Sequence, residues 1–208
     1  MHREAYDYVR RAVRDAWRVL EIGSLNVNGS VRPLFGGAAY TGIDRLPGRG
    51  VDVVAEARDY DGEGQYDVVV SSEALEHTDW PEEIIACAER ALKPGGLLIL
   101  TAAGPKRAPH GWDGLALREG AVYRAISPRT LRKWLRGWES VEIIEGRDGE
   151  DVYAQARKRT ERADRLPPLP EEAADLGAEP DEHPGDGVGG LPVGLRHWVP
   201  QEGQPGGN

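Results

Sequence analysis

Tyr66-Asp-Val-Val-Val-Ser-Ser-Glu-Ala-Leu-Glu-His77 opens as an unbroken β-branched run and closes in small and acidic residues. A run without polar alternation suits a strand covered on both faces, as in a parallel sheet. Its neighbours repeat the pattern. Upstream, Arg18-Val-Leu-Glu-Ile-Gly23 is a short apolar burst that breaks into Ser24-Leu-Asn-Val-Asn-Gly-Ser30, where Asn28 or Ser30 would cap a short helix ending near Gly36-Gly37. Ala38–Ile43 and Val51–Val54 are shorter strand candidates, each followed by acidic residues.

Downstream, Asp79-Trp-Pro-Glu82 predicts a helix start, with Asp79 as cap, Pro81 in the first turn and Glu82 completing a capping box. Ile84, Ile85, Ala88, Ala91 and Leu92 share one face of that helix, and Lys93-Pro-Gly-Gly96 ends it before the next buried strand, Leu97–Thr101. A loop from Gly104 to about Ala125 carries His110, Trp112 and Tyr123. Ser127-Pro128 opens a further helix with Leu131, Trp134 and Leu135 inward, and Val141–Ile144 with Val152–Ala156 reads as a closing antiparallel pair. Ahead of everything, Ala5, Tyr8, Val9, Ala12, Val13, Ala16 and Trp17 recur at helical spacing, which predicts an amphipathic helix over 5–17. Strands alternating with helices give an α/β chain with a mostly parallel, doubly wound sheet.

The chain has 208 residues, a net charge of −9 and one cysteine. Cys87 alone excludes a disulfide scaffold and a cysteine-rich zinc module; it reads as a small buried residue. No apolar run approaches the roughly 18–20 residues of a membrane span, and the expectation is a cytoplasmic protein without a membrane partner. The charge is concentrated at one end. Leu166–Asn208 holds eight acids against one base, Arg196, along with eight of the fifteen prolines. Residues 1–157 therefore read as a nearly neutral domain that includes the N-terminal helix, and 158–208 as an acidic, irregular Pro/Gly-rich tail. Leu191, Leu195, Trp198 and Val199 are the tail's credible anchors, for docking on the body or a neighbouring chain. The body has no basic stripe, so no nucleic-acid partner is expected.

In such a sheet, ligands bind beyond the carboxyl ends of the strands, where the strand order reverses. The residues there are Glu21, Gly23, Asn26, Asn28 and Gly29 after the first strand, Asp44 after the second, Glu56 after the third, and Ser71, Ser72, Glu73 and His77 after the fourth. Small residues let a ligand approach the backbone, and a following helix start would offer free N–H groups. A carboxylate after the second strand can take both hydroxyls of a ribose. No G-x-x-x-x-G-K-[ST] phosphate cradle occurs, so a nucleoside ligand without a polyphosphate fits better than ATP or NAD.

Val19-Leu-Glu-Ile-Gly23, Tyr40-Thr-Gly-Ile-Asp44, Tyr66–His77 and Leu92-Lys-Pro-Gly-Gly-Leu-Leu-Ile-Leu100 stand in the order and spacing of class I S-adenosylmethionine-dependent methyltransferases, which this chain resembles from about Arg18 to Thr101. The resemblance implies a Rossmann-like seven-stranded sheet with its last strand antiparallel, and S-adenosyl-L-methionine as cofactor. By position it implies Glu21 and Gly23 at the methionine end, Asp44 on the ribose, Glu56 near the adenine, and Ser71 and Ser72 bordering the transferring methyl. The family's glycine loop, [DE]-x-G-x-G-x-G, is here Glu21-Ile-Gly23-Ser-Leu25-Asn-Val27, so Asn26, Asn28 and Gly29 would complete a variant cofactor loop.

A sulfonium methyl is already activated. The protein has only to align nucleophile, carbon and sulfur and to exclude water, and no metal site is expected. His110, in Pro109-His-Gly-Trp112, is the candidate catalytic base where a nucleophile must lose its proton. Ser71-Ser-Glu-Ala74 is not the N-P-P-Y or D-P-P-Y of DNA amino-methyltransferases, and no Pro-Cys nucleophile is present. The short loop after residue 104 favours a small-molecule acceptor, or an exposed protein side chain. The alternative reading is a non-catalytic S-adenosylmethionine-binding scaffold or subunit.

Overall fold

The computed structural model describes residues 2–160. Its elements are α1 (Arg3–Ala12), β1 (Arg18–Ile22), β2 (Ala39–Asp44), β3 (Val53–Val54), β4 (Tyr66–Ser72), α2 (Pro81–Ala91), β5 (Leu92–Ala103), α3 (Pro128–Trp134), β6 (Glu139–Gly146) and β7 (Asp151–Arg157). One sheet of seven strands runs in the order β3-β2-β1-β4-β5-β7-β6. β1 to β5 are parallel where they pair, and β7 lies antiparallel between β5 and β6. This is the doubly wound, mostly parallel architecture with an antiparallel last strand that the sequence led us to expect. The acidic tail and its docking anchors lie outside the described residues.

Alternation along the central strands fills two cores. Leu20 and Ile22 of β1, Val69 of β4 and Leu98, Leu100 and Ala102 of β5 face α2 and α3. Val19, Val68, Val70, Leu97 and Ile99 face α1, whose Ala5, Tyr8, Val9 and Ala12 are the buried stripe. Tyr8 stacks on Tyr153 of β7 with ring centroids 4.8 Å apart. Burial of apolar surface at roughly 25 cal/mol per Å² makes these two layers the main source of stability.

Several boundaries differ from the sequence reading, each for a local reason. α1 ends at Ala12, not Trp17. Past it, the Arg14 guanidinium donates to the carbonyls of Arg11 (2.8 Å) and Val13 (2.9 Å). The Asp67 carboxylate then takes the N–H groups of Trp17 and Arg18, both at 2.9 Å, and draws the chain into β1; Trp17 is left exposed. Asp79 does not cap α2. Trp80 holds that position without a side-chain bond, Pro81 follows, and Glu82 accepts instead from the Trp134 indole N–H at 3.0 Å. α2 ends at Ala91, just before Lys93–Gly96, but β5 begins at Leu92, earlier than the expected Leu97. Ser127 does cap α3, accepting from Thr130 N at 3.0 Å. The segment after Ser30 forms only a 3-10 turn, Arg32–Phe35.

The carboxyl ends of β1 and β2 close against each other through glycine. A Cβ on Gly42 would lie 2.4 Å from the Gly50 carbonyl and 2.7 Å from Ser24 Oγ, whereas one on Gly36 would meet nothing within 4 Å. Gly42→Ala should therefore cost about 1–3 kcal/mol and lower Tm by roughly 3–10 °C, while Gly36→Ala leaves it nearly unchanged. Thermal denaturation followed by circular dichroism checks the pair; equal Tm values would show that the strand tips are not packed this closely.

Candidate active site

β1 pairs with β2 on one side and β4 on the other, so the strand order reverses at β1. The loop that leaves β1 at this point is held almost entirely by its own neighbours. Gly23 takes φ +82°, and a Cβ there would sit 2.5 Å from that of Ala74. Only glycine meets both demands without strain. The N–H groups of Gly23 (2.9 Å) and Ser24 (3.0 Å) both donate to the Ile43 carbonyl, and Gly29 N donates to Asn26 Oδ1 at 3.0 Å. The loop thus turns its N–H groups inward, and no α-helix start follows it to supply others, contrary to the sequence expectation.

Asp44 joins this loop to the end of β2. Its Oδ2 accepts from Leu25 N at 3.1 Å and its Oδ1 from Leu46 N at 3.0 Å. Each carboxylate oxygen keeps a lone pair beyond these bonds.

Two cavities adjoin across Gly23, sharing Gly23, Leu25, Val27, Glu73, His77 and Trp112 as walls. The smaller, about 140 Å³, is a mainly apolar slot built from Ile43, Leu46, Ala57 and Ile84, with Asp44 and Glu56 on its wall. The larger, about 460 Å³, is polar and is lined by Glu21, Asn28, Gly29, Ser72, Arg107 and His110 among others. Of the residues singled out from the sequence, Glu21, Gly23, Asn28, Gly29, Asp44, Glu56, Ser72 and His110 line one cavity or the other. Ser71 does not. It is fully buried, and its hydroxyl donates to the Ile22 carbonyl at 2.9 Å, fastening β4 to β1. Strand alternation turns Ser72 the other way, where its hydroxyl meets that of Thr101 at 3.0 Å.

Glu21 is nearly inaccessible and accepts from the Tyr40 hydroxyl at 2.9 Å. Burial pushes its carboxyl up to about 7, against the pull of the Tyr40 hydrogen bond and the Arg32 charge. Arg32 lies over the Tyr40 ring and pairs with Asp52, whose carboxylate also accepts from Gly42 N at 2.7 Å.

On the wall the two cavities share, Glu73 takes a left-handed backbone (φ +54°), rare for a residue with a side chain. Its carboxylate meets Arg107 at 2.5 Å, and Arg107 reaches the wholly buried Asp151 at 2.8 Å. His2 comes within 3.4 Å of Glu73 and 3.3 Å of Asp151. Burial would raise Glu73, but His2 and the Arg107 charge hold it down at about 2. Glu76 goes the other way. It is fully buried, and burial together with the Glu73 charge pushes it up to about 8. Burial and the neighbouring His110 lower His77 to about 4, so its imidazole is neutral at physiological pH.

His110 stands edge-on to His77 at 5.1 Å and to Tyr123 at 5.0 Å, and its Nδ1 lies 3.1 Å from the Ala108 carbonyl. Sequence reasoning missed His2, Tyr40, Arg107 and Asp151. Only the approach of residue 2, residue 107 and the start of β7 in space brings the last cluster together. A polar residue beginning a strand in the closing pair was the one available hint.

Comparisons with known proteins agree with this fold. A family model described as a methyltransferase domain matches residues 2–139, from α1 to the start of β6. Similar folds occur in solved structures. The 1,6-didemethyltoxoflavin-N1-methyltransferase of Burkholderia thailandensis, with 1,6-didemethyltoxoflavin and S-adenosylhomocysteine bound, is 17% identical, with TM-score 0.54 over 76% of this chain and 77% of that one. An S-adenosylmethionine-dependent methyltransferase of Mesorhizobium loti is 18% identical, with TM-score 0.53 over 74% and 97%. The DhpI–SAH complex is 23% identical, with TM-score 0.57 over 75% and 83%. Among curated proteins, none matches the chain significantly. A sheet that reverses its order at β1 and a family match running from α1 to the start of β6 lead to one conclusion: the chain belongs to the methyltransferase-domain family.

Proposed function

We propose that the protein is an S-adenosylmethionine-dependent methyltransferase whose cofactor spans the two cavities and whose acceptor is a small molecule. The observation that carries this reading is the pair of cavities meeting at Gly23, with Asp44 in one and Glu21 in the other. Adenine suits the apolar slot of Leu46, Ala57 and Ile84, beside Glu56. The ribose hydroxyls then meet the lone pairs left on Asp44. The methionine end passes over Gly23 into the polar cavity, past Asn28 and Gly29, with its α-ammonium toward Glu21. A cavity of about 460 Å³ suits a ligand of small-molecule size, as in the toxoflavin relative, whose structure holds both its acceptor and the demethylated cofactor.

Transfer is by in-line displacement. The acceptor's lone pair forms the bond to the methyl carbon, the sulfur–carbon bond breaks, and its electron pair stays on a neutral thioether. His110, on the wall of the larger cavity, is placed to take the acceptor's proton. Ser72 borders the same space; Ser71 has no part in it. A cytoplasmic location goes with this reading, and a free, buried Cys87 suits a reducing compartment.

Calorimetry of the full chain tests the cofactor. S-adenosylmethionine should bind with one site, and Asp44→Ala should weaken it roughly 10–100-fold, the loss of hydrogen bonds to a charged acceptor. An unchanged affinity would remove the ribose from Asp44. Binding with no product from any acceptor pool would favour the non-catalytic scaffold. The pH dependence follows from Glu21. Because its folded carboxyl titrates near 7, it is mostly protonated at pH 6, and a bound α-ammonium favours the ionised form. Affinity for S-adenosylhomocysteine should therefore rise about eightfold from pH 6 to 7.5, and Glu21→Gln should flatten the profile.

A further inference from the structure

Beside the transfer site stand three side chains that cofactor binding leaves without a joint role. Glu76 and His77 come from the 3-10 turn that follows β4, and His110 from the loop that follows β5. One ligand atom of each lies within 4.8 Å of the other two. We propose that Glu76, His77 and His110 bind a divalent metal ion of the zinc, cobalt or iron(II) class at the wall of the larger cavity, a site the sequence did not suggest.

Two buried atoms point to it. Glu76 Oε1 accepts from Ala103 N at 3.2 Å, but Oε2 is buried with no hydrogen bond to another residue. His77 Nδ1 is buried and unpartnered as well. Such groups are costly to leave unmatched, and buried polar atoms in folded proteins almost always find a partner. A cation between them supplies one to both.

His110 is also held as a metal ligand is held. A ligating histidine commonly gives its second ring nitrogen to a carbonyl, which fixes the tautomer and aims the first. His77 keeps its buried Nδ1 free of any hydrogen bond, which leaves that atom for the ion. His110 places Nδ1 against the Ala108 carbonyl, which leaves Nε2.

Two imidazoles and one carboxylate select a borderline transition metal over magnesium or calcium, which prefer all-oxygen sites. Bonds of about 2.0–2.2 Å set tetrahedral ligand atoms about 3.4 Å apart. The three groups therefore need to close by roughly an ångström, which the partly exposed His110 loop can supply.

Three protein ligands leave at least one position for water or an acceptor oxygen, and His77 and His110 both face the larger cavity. An acceptor hydroxyl bound there loses its proton at lower pH. With the ion in place His110 is a ligand, so that proton leaves to solvent; the oxygen then takes the methyl as the sulfur–carbon bond breaks. The site accordingly favours an oxygen nucleophile. This last step rests on the methyltransferase reading; the metal site does not.

The test uses the full chain, stripped with EDTA and titrated with zinc by calorimetry and with cobalt(II) by visible absorption. The expected result is one ion per chain, with cobalt bands of imidazole and carboxylate ligation. His110→Ala and His77→Ala should each weaken binding at least about tenfold. His110 lies on a loop, and its variant should keep the wild-type circular dichroism, so that a loss of metal is not a loss of fold. S-adenosylmethionine binding, measured separately on wild-type protein, separates failure of the metal site from failure of the cofactor reading. Absence of stoichiometric binding, or affinity undiminished in both histidine variants, would overturn the site.

Discussion

Asp44 ends β2 with a carboxylate that takes the amide of Leu25 on one side and that of Leu46 on the other. This clasp decides the shape of everything at the carboxyl edge of the sheet. It holds the β1 loop down over β2, and the Ile43 carbonyl, receiving both Gly23 and Ser24, closes the same corner. With the loop pinned there, Gly23 must turn left-handed under Ala74, and Gly42 must lie bare beneath Ser24 and Gly50. The two cavities are the spaces left on either side of that corner. A ligand crossing it meets a carboxylate already oriented by two backbone donors, so little ordering remains to be done on binding.

The opposite wall is built on charge. Glu73, Arg107, Asp151 and His2 form a mostly buried cluster that joins the end of β4, the loop after β5, the start of β7 and the N-terminal cap of α1. Removing one member of such a cluster leaves the others buried and unmatched, which costs more than the pair contributes. The left-handed backbone of Glu73 belongs to the same device, because it turns the chain so that Glu73 faces the cavity and Glu76 and His77 follow in the next turn. Two walls of different chemistry result. One is a backbone corner closed by Asp44; the other is a charged and imidazole-rich face.

Much of this was legible in the sequence, and the limits are physical. Val68–Val70 and Leu97–Leu100 declared buried parallel strands because both faces of such strands demand apolar side chains. Gly23 and Asp44 were legible as residues at the carboxyl ends of β1 and β2, the edge where the strand order reverses. Ser71 and Ser72 could not be told apart without the pleat: one turns into the sheet to bind Ile22, the other toward the cavity. Asp79 looked like a cap, yet Pro81 and the pull of Trp134 on Glu82 set the start of α2. Nothing local announced that residue 2 would meet residues 73 and 151, since that contact exists only once α1 packs across β5 and β7. Nothing in the sequence marked Glu76 as buried, because its burial depends on the turn geometry after β4.

The most direct measurement of the central claim is hydrogen exchange of the full chain with and without S-adenosylmethionine. Slower exchange at the amides of Leu25, Val27 and Leu46, with α3 and β6 unchanged, is the predicted result, because a cofactor spanning the corner covers the loop that Asp44 holds. Exchange unaltered in residues 21–29 and 44–46 would contradict the placement of the cofactor across Gly23, whatever the activity of the protein.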